Sequence, residues 1–260
     1  MSRIPNAFRD KNAFIAFITA GDPDLETTKQ LILEMEQAGT DLIELGIPFS
    51  DPVAEGLVIQ KADERALTVG TTTDKIFDMV REIRKVSQIP LVFLTYINPI
   101  FVYGTEQFIK RCEECGIDGL IVPDLPYEER EELLPCCNAC GIDLIPLIAP
   151  TSEDRIRMIA KEAQGFVYCI SSMGVTGVRK NITTDIGHMI SLVREVSDIP
   201  CAIGFGVSTK KQAKQMIAQA DGVIVGSAIV KLIGEHGRDA VKPVEDYVKG
   251  MKKAILEVKP

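Results

Sequence analysis

The chain of 260 residues has no tryptophan and only two histidines, His188 and His236. Neither ends an apolar run. His188 sits off the apolar face of its segment and His236 follows a helix end, so neither offers itself as a base or a metal ligand. No apolar run reaches the ~18 residues needed to cross a bilayer. The opening residues, MSRIPNAFRD, hold no signal-peptide core. Basic blocks are missing as well: 29 Lys and Arg are spread among 37 Asp and Glu, for a net charge of −8. That balance argues against nucleic acid and anionic membranes as partners. Seven cysteines, an odd number in a long chain, do not form a secreted disulfide framework. A soluble, cytoplasmic protein with reduced thiols is expected.

What is present is regular. Eight short, β-rich apolar runs start at Ile15, Asp41, Pro90, Gly119, Asp143, Phe166, Cys201 and Gly222. They look buried on both faces. Helical stripes lie between them: Leu31, Met35 and Ala38; Ile76, Met79, Val80, Ile83 and Val86 behind an N-cap Thr73; Ile156, Ile159, Ala160 and Ala163 behind a capping-box-like TSED at 151–154. Two more are Ile186, Met189, Ile190 and Val193, and Ala213, Met216 and Ile217 behind Ser208. QAGTDLIELG, ECGIDGLIVPD and ACGIDLIPLIA repeat one form, a helix end, a glycine, a polar turn and a strand. Eight β-then-α units predict an α/β fold, a (β/α)8 TIM barrel forming one domain over residues 1–260. An extra N-terminal helix is expected at 5–11, and a final amphipathic helix carries Val244, Tyr247, Val248, Met251 and Ile255. An open doubly wound sheet is the alternative. It would want a GxGxxG turn, and Ala20-Gly21-Asp22-Pro23 is not one.

The chain turns on DLIELGIPFSDPVAEG at 41–56. Leu42, Glu44 and Gly46 share one strand face. Glu44 is thus an ionisable group in an apolar run, with either a salt-bridge partner or a raised pKa suited to acid–base work. Other strand ends supply Phe17 and Thr19, Tyr96 with nearby Asn98, Asp124 and Tyr168. Asp124 fits a helix cap equally well. Glycines gather late, at Gly204 and Gly206 and at Gly226, where Ser227 opens a helix. Amides there suit an anion, and tight packing is the competing explanation. Gly174 and Gly177 lie in a further loop, SSMGVTGVRK, with Arg179 and Lys180 beyond. Two CxxC pairs, Cys112/Cys115 and Cys137/Cys140, permit a zinc site. Their alignment with Phe108 and Leu133 on apolar stripes favours core packing.

The chain resembles the tryptophan synthase alpha subunit family nearly end to end, in FITAGDP (17–23), ELGIPFSDP (44–52), SSMGVTG, GFGVS (204–208) and GSAIVK (226–231). The resemblance implies a barrel that cleaves indole-3-glycerol phosphate to indole and glyceraldehyde 3-phosphate, and passes indole to a beta subunit in an alpha2-beta2 heterotetramer. It implies no cofactor or metal of its own; pyridoxal phosphate belongs to the beta subunit. Glu44 is then the principal acid–base group and Glu55 the second carboxylate, beside the indole N–H. Phe17, Tyr96 and Ile121 line the indole pocket and Tyr168 positions substrate. Gly177, Gly206, Gly226 and Ser227 take the phosphate, and Thr176 closes its loop over the site.

Two positions depart from the family pattern: Glu55 stands for the usual Asp and Leu57 for a usual Pro. A carboxylate displaced by ~1 Å can lose ~100-fold in rate, so weak cleavage is expected of the isolated chain. Two other functions compete. Another phosphate-handling barrel enzyme would want a rim lysine, histidine pair or metal. A non-catalytic activator of the beta subunit would need only a partner face, near Asp51, Pro52 and Asn98.

Overall fold

The computed structural model describes residues 2–9, 12–170, 185–204 and 206–258. Nine parallel strands form one sheet among them: β1 (Ala13–Thr19), β2 (Leu42–Gly46), β3 (Leu91–Leu94), β4 (Gly119–Ile121), β5 (Asp143–Leu144), β6 (Leu147–Ile148), β7 (Val167–Ile170), β8 (Cys201–Gly204) and β9 (Gly222–Val225). Their order is β5-β4-β3-β2-β1-β9-β8-β7-β6. The two ends of that order, β5 and β6, are separated in the chain only by Ile145 and Pro146. The sheet therefore closes on itself as a TIM barrel, and the run expected as one fifth strand is two halves of the closing strand. The first half pairs with β4 and the second with β7. Pro146 marks the break because it has no N–H to give a neighbour. Its carbonyl still accepts the Tyr168 N–H.

Alternation along the strands sorts side chains into two cores. Ile15, Leu42, Val92, Ile121, Phe166 and Ile224 point into the barrel. Phe14, Ile18, Ile43, Leu45 and Phe93 point outward and are buried beneath the helices. Ile4, Ala7 and Phe8 join the inner cluster from below. Ile4 and Ala7 belong to the N-terminal helix, which spans Ile4–Ala7 rather than 5–11, and Phe8 caps its end; Pro5 in its first turn fixes where it starts. Asp118 fastens this floor. Its fully buried carboxylate accepts from the Arg3 and Leu91 amides and from the Arg84 guanidinium.

The helices follow the expected stripes, with shifted starts. Thr72, not Thr73, caps Thr73–Arg84. Ser152, not Thr151, caps Glu153–Lys161. Thr209, not Ser208, caps Lys210–Ile217 in a full capping box with Gln212. In each case a second hydroxyl beside the expected one accepts the first-turn amide. Val86 lies beyond its helix and is exposed. Ala163 lies beyond Lys161 yet packs on the core. A helix without an expected counterpart, Leu57–Thr68, buries Ile59, Ala62, Asp63 and Ala66. The final helix, Val241–Leu256, buries Val244, Val248, Met251 and Ile255 as its stripe predicts. Gly116 and Gly141 take the left-handed conformation that ends their helices.

The cysteine pairs pack as small apolar groups. Cys112, Cys115 and Cys137 are buried in the outer core with Phe108 and Leu133. Burial pushes the Cys137 thiol up to about 12, the mark of an inert thiol. His188 is exposed, its Nε2 3.0 Å from Glu153 Oε1. His236 closes the helix Ser227–His236 instead of following it.

Candidate active site

Glu44 lies in the middle of β2, between Phe17 of β1 and Val92 of β3 in register. The alternation that sends Leu42 into the barrel sends Glu44 there too, one layer nearer the mouth. It is 1% exposed. Burial, and then the charge of Glu55, push its carboxyl up to about 8. Its Oε1 has no hydrogen-bond partner among the described residues. At neutral pH this is a protonated acid with an unengaged oxygen facing the barrel interior.

Glu55 comes from the loop after β2 and is also buried. The Tyr96 hydroxyl donates to its Oε1 at 2.9 Å, and the Ala54 amide donates to the same hydroxyl oxygen at 3.0 Å. Burial first, then the Glu55 charge, raises the Tyr96 phenol, so it remains a donor. Phe49 packs its ring against Tyr96, 5.5 Å between centroids. Thus the β2 loop is tied to the β3 loop through one tyrosine.

A third carboxyl, Asp63, escaped the sequence reading. It is 6% exposed on the inward face of Leu57–Thr68. Burial and the Glu55 charge push it up to about 8. The available signal was an aspartate four residues after Ile59 and flanked by Ala62 and Ala66, on an apolar stripe.

Aromatic groups complete the interior. Phe17 and Tyr168 are both 6% exposed. They fit because glycines face them: a Cβ on Gly204 would come 2.3 Å from Tyr168 Oη, and one on Gly46 would come 2.8 Å from Phe17 Cζ. Gly226 also makes room for Phe17, so packing accounts for part of the late glycine cluster. Ile121 sits beside Leu94 in register, inside the barrel. Gly226 is the N-cap of Ser227–His236, where no side chain caps the first amides. Gly206, with φ +88°, adopts a conformation that favours glycine.

Not every expected rim residue joins. Asp124 accepts the Ile97 amide at 3.0 Å and so fastens the start of the helix Ile97–Tyr103. Asn98 is exposed on that helix. Thr19, fully buried at the end of β1, does join, its hydroxyl beside the Asp63 carboxyl. Thr176, Gly177, Gly174, Arg179 and Lys180 lie outside the described residues. Among the described residues no group of three or more His, Cys, Asp or Glu is arranged to hold a metal, and no helix is long and apolar enough to cross a membrane.

Fold and site define a class: a TIM-barrel enzyme with buried carboxyl groups, two of them raised to about 8, at the mouth of its barrel. The family described as tryptophan synthase alpha chain matches residues 6–256. A tryptophan synthase alpha chain of Lacticaseibacillus casei is 46% identical, over 98% of this chain and 96% of that one. The crystal structure of the alpha subunit from Legionella pneumophila superposes with a TM-score of 0.89 at 34% identity, covering 99% of this chain and 100% of that chain. A structure concerned with mutual activation of the tryptophan synthase a2b2 complex of Pyrococcus furiosus gives 0.86 at 37% identity, over 93% and 98%. The chain belongs to the tryptophan synthase alpha chain family, lyase-type enzymes of tryptophan biosynthesis.

Proposed function

We propose that the chain cleaves indole-3-glycerol phosphate to indole and glyceraldehyde 3-phosphate, with Glu44 as its acid–base catalyst. The observation that carries this reading is the buried Glu44 carboxyl, raised to about 8, with an oxygen that has no hydrogen-bond partner among the described residues. Such an acid holds its proton at neutral pH and can give it to the ring carbon bearing the side chain. The protonated ring then accepts the electron pair of the carbon–carbon bond. As that bond breaks, the adjacent hydroxyl loses its proton and becomes the aldehyde carbonyl. The Glu44 carboxylate left by the first step is a suitable acceptor for it. Glu55, steered by Tyr96, faces the positive charge that develops at the ring N–H. Phe17, Tyr96, Ile121 and Tyr168 seat the ring. Gly206, Gly226, Ser227 and Gly177 hold the phosphate through amides, and Thr176 closes its loop against Glu55.

The reaction moves protons and one electron pair within the substrate, so the proposed chemistry asks for no cofactor. Pyridoxal phosphate belongs to the beta subunit with which the chain assembles as alpha2-beta2 in the cytoplasm. Val53 and Leu57, 71% and 73% exposed on the β2 loop and the helix that follows, support such a partner face. They lie beside Asp51 and Pro52. These features also suit a second reading, an alpha-like subunit that activates the beta subunit while cleaving weakly.

Indole release from the native chain and from Glu44→Gln, with and without a beta subunit, separates the two. Cleavage predicts a fall of ~100- to 10,000-fold in Glu44→Gln. Beta activation with equally slow indole release from both chains supports the activator instead.

A further inference from the structure

Three buried carboxyls share the mouth, and Glu55 holds the middle place. Its charge raises both Glu44 and Asp63, in each case after burial. A carboxylate in such an interior is costly without a counter-charge, and a second one beside it costs more. Of the cations on the helix that carries Asp63, Lys61 is exposed and Arg65 already forks onto Asp22. Glu44 has a place in the proposed reaction, whereas Asp63 has none.

The fold holds Asp63 there firmly. Its helix starts on Gly56, the residue after Glu55, and Gln60 Nε2 donates to the Glu55 carbonyl at 2.7 Å. Ile59 and Ala62 pack the helix against Phe17 and Val230. The turn that sends Ile59 inward sends Asp63 inward four residues later. Facing Asp63 are Glu55, the Thr19 hydroxyl and Asp22, and its charge reaches the Tyr96 phenol. The Thr19 hydroxyl is fully buried with no hydrogen-bond partner among the described residues. The helix Ser227–His236 packs alongside, and its ionisable groups, Lys231, Glu235 and His236, are exposed. Raised to about 8, Asp63 keeps its proton at neutral pH.

We propose that Asp63 is a positioning residue for Glu55: as a neutral acid it leaves Glu55 to face an indole ring N–H, and as an anion it repels Glu55 out of that contact. The role rests on the reading that Glu55 faces the ring N–H, and not on turnover. It is therefore tested in a chain that lacks the Glu44 acid.

The chain has no tryptophan, so the emission of an added indole is read without an indole background from the protein. Indole and N-methylindole are titrated into Glu44→Gln, with and without Asp63→Asn, from about pH 6.5 to about pH 9.5. In Glu44→Gln the Kd of indole is expected to rise about tenfold over that range. With Asp63→Asn added it should stay level. N-methylindole, which has no N–H, should stay level in both chains. A level indole curve in Glu44→Gln overturns the proposal, and so does an equal rise with and without Asp63→Asn. A parallel rise for N-methylindole overturns it too, as does a failure to bind indole at neutral pH. A purely structural Asp63 would change affinity by one factor at every pH. Should Asp63→Asn lose its native spectrum, Asp63→Ser makes the same comparison. The expected curves, joined to a native chain that releases no indole from indole-3-glycerol phosphate, would remove the cleavage reading and leave the role of Asp63 standing.

Discussion

At the residue scale, two raised carboxyls make stability depend on pH in a definite direction. Glu44 and Asp63 titrate at about 8 in the fold, against ordinary values of 4.5 and 3.8. Between those limits the folded chain holds protons that the unfolded chain has shed. Their stabilisation is complete at acid pH and is lost as pH rises through 8. Thermal midpoints are expected to fall between about pH 4 and about pH 8 and to level off above that, and Glu44→Gln to flatten the fall. At about pH 9 the variant should be more stable than the native chain by roughly 1–3 kcal/mol, since no charge is then forced into the interior. If Glu44 acts first as an acid, cleavage by the native chain declines across the same alkaline range. Glu55 gives a second test. Its hydrogen bond to Tyr96 weighs against a loosely placed carboxylate. Tyr96→Phe and Glu55→Asp are both expected to lower kcat/KM, by ~10- to 100-fold. A faster Glu55→Asp chain would restore the expectation that the extra methylene is a handicap. Glu44 was legible because strand alternation placed it, whereas Asp63 was not, because its helix went unread. Gly46 and Gly204 owe their identity to rings from other strands, which no local pattern displays.

At the element scale, sequence periodicity located the strands and most helices but not their exact starts. Where two or three hydroxyl residues stand together, as in TTTD, TSED and VSTK, any of them can cap, and the entering chain's direction chooses. The choice is measurable. Thr209→Ala should cost about 1 kcal/mol in urea unfolding. Ser208→Ala should cost less, because the Ser208 amide and its carbonyl bond to Tyr247 survive. The helix Leu57–Thr68 was hidden by its charged residues and by the attention its leading loop attracts. It matters structurally, since its Arg65 forks onto the buried Asp22 at 2.7 Å from each of two nitrogens, holding the β1 loop. The fifth strand was visible as an apolar run, and Pro146 within it was the sign that it would divide.

At the scale of the whole molecule, the barrel separates a floor that stabilises from a mouth that works. Arg84, mostly buried, has its guanidinium lowered to about 10 by that burial, and it satisfies Asp118 together with Arg3. Arg84→Ala leaves the buried Asp118 carboxylate with Arg3 and two backbone amides but without its most buried counter-charge, and should cost on the order of 3 kcal/mol. Turnover by the folded fraction should stay unchanged, as chemical unfolding and initial rates would establish. The circular closure was readable from eight β-then-α units, since no open arrangement with a nucleotide turn was on offer. Which glycines are proposed to hold a phosphate was less readable, because glycines that would admit a phosphate and glycines that admit a neighbouring ring look alike in a sequence.

Ile4, Ala7 and Phe8 stopper the barrel from beneath, and that makes it a one-ended vessel. Cargo released inside has no drain through the base. A subunit seated over the rim would thus inherit whatever the vessel produces, and traffic between two such proteins becomes a matter of how well the lid fits.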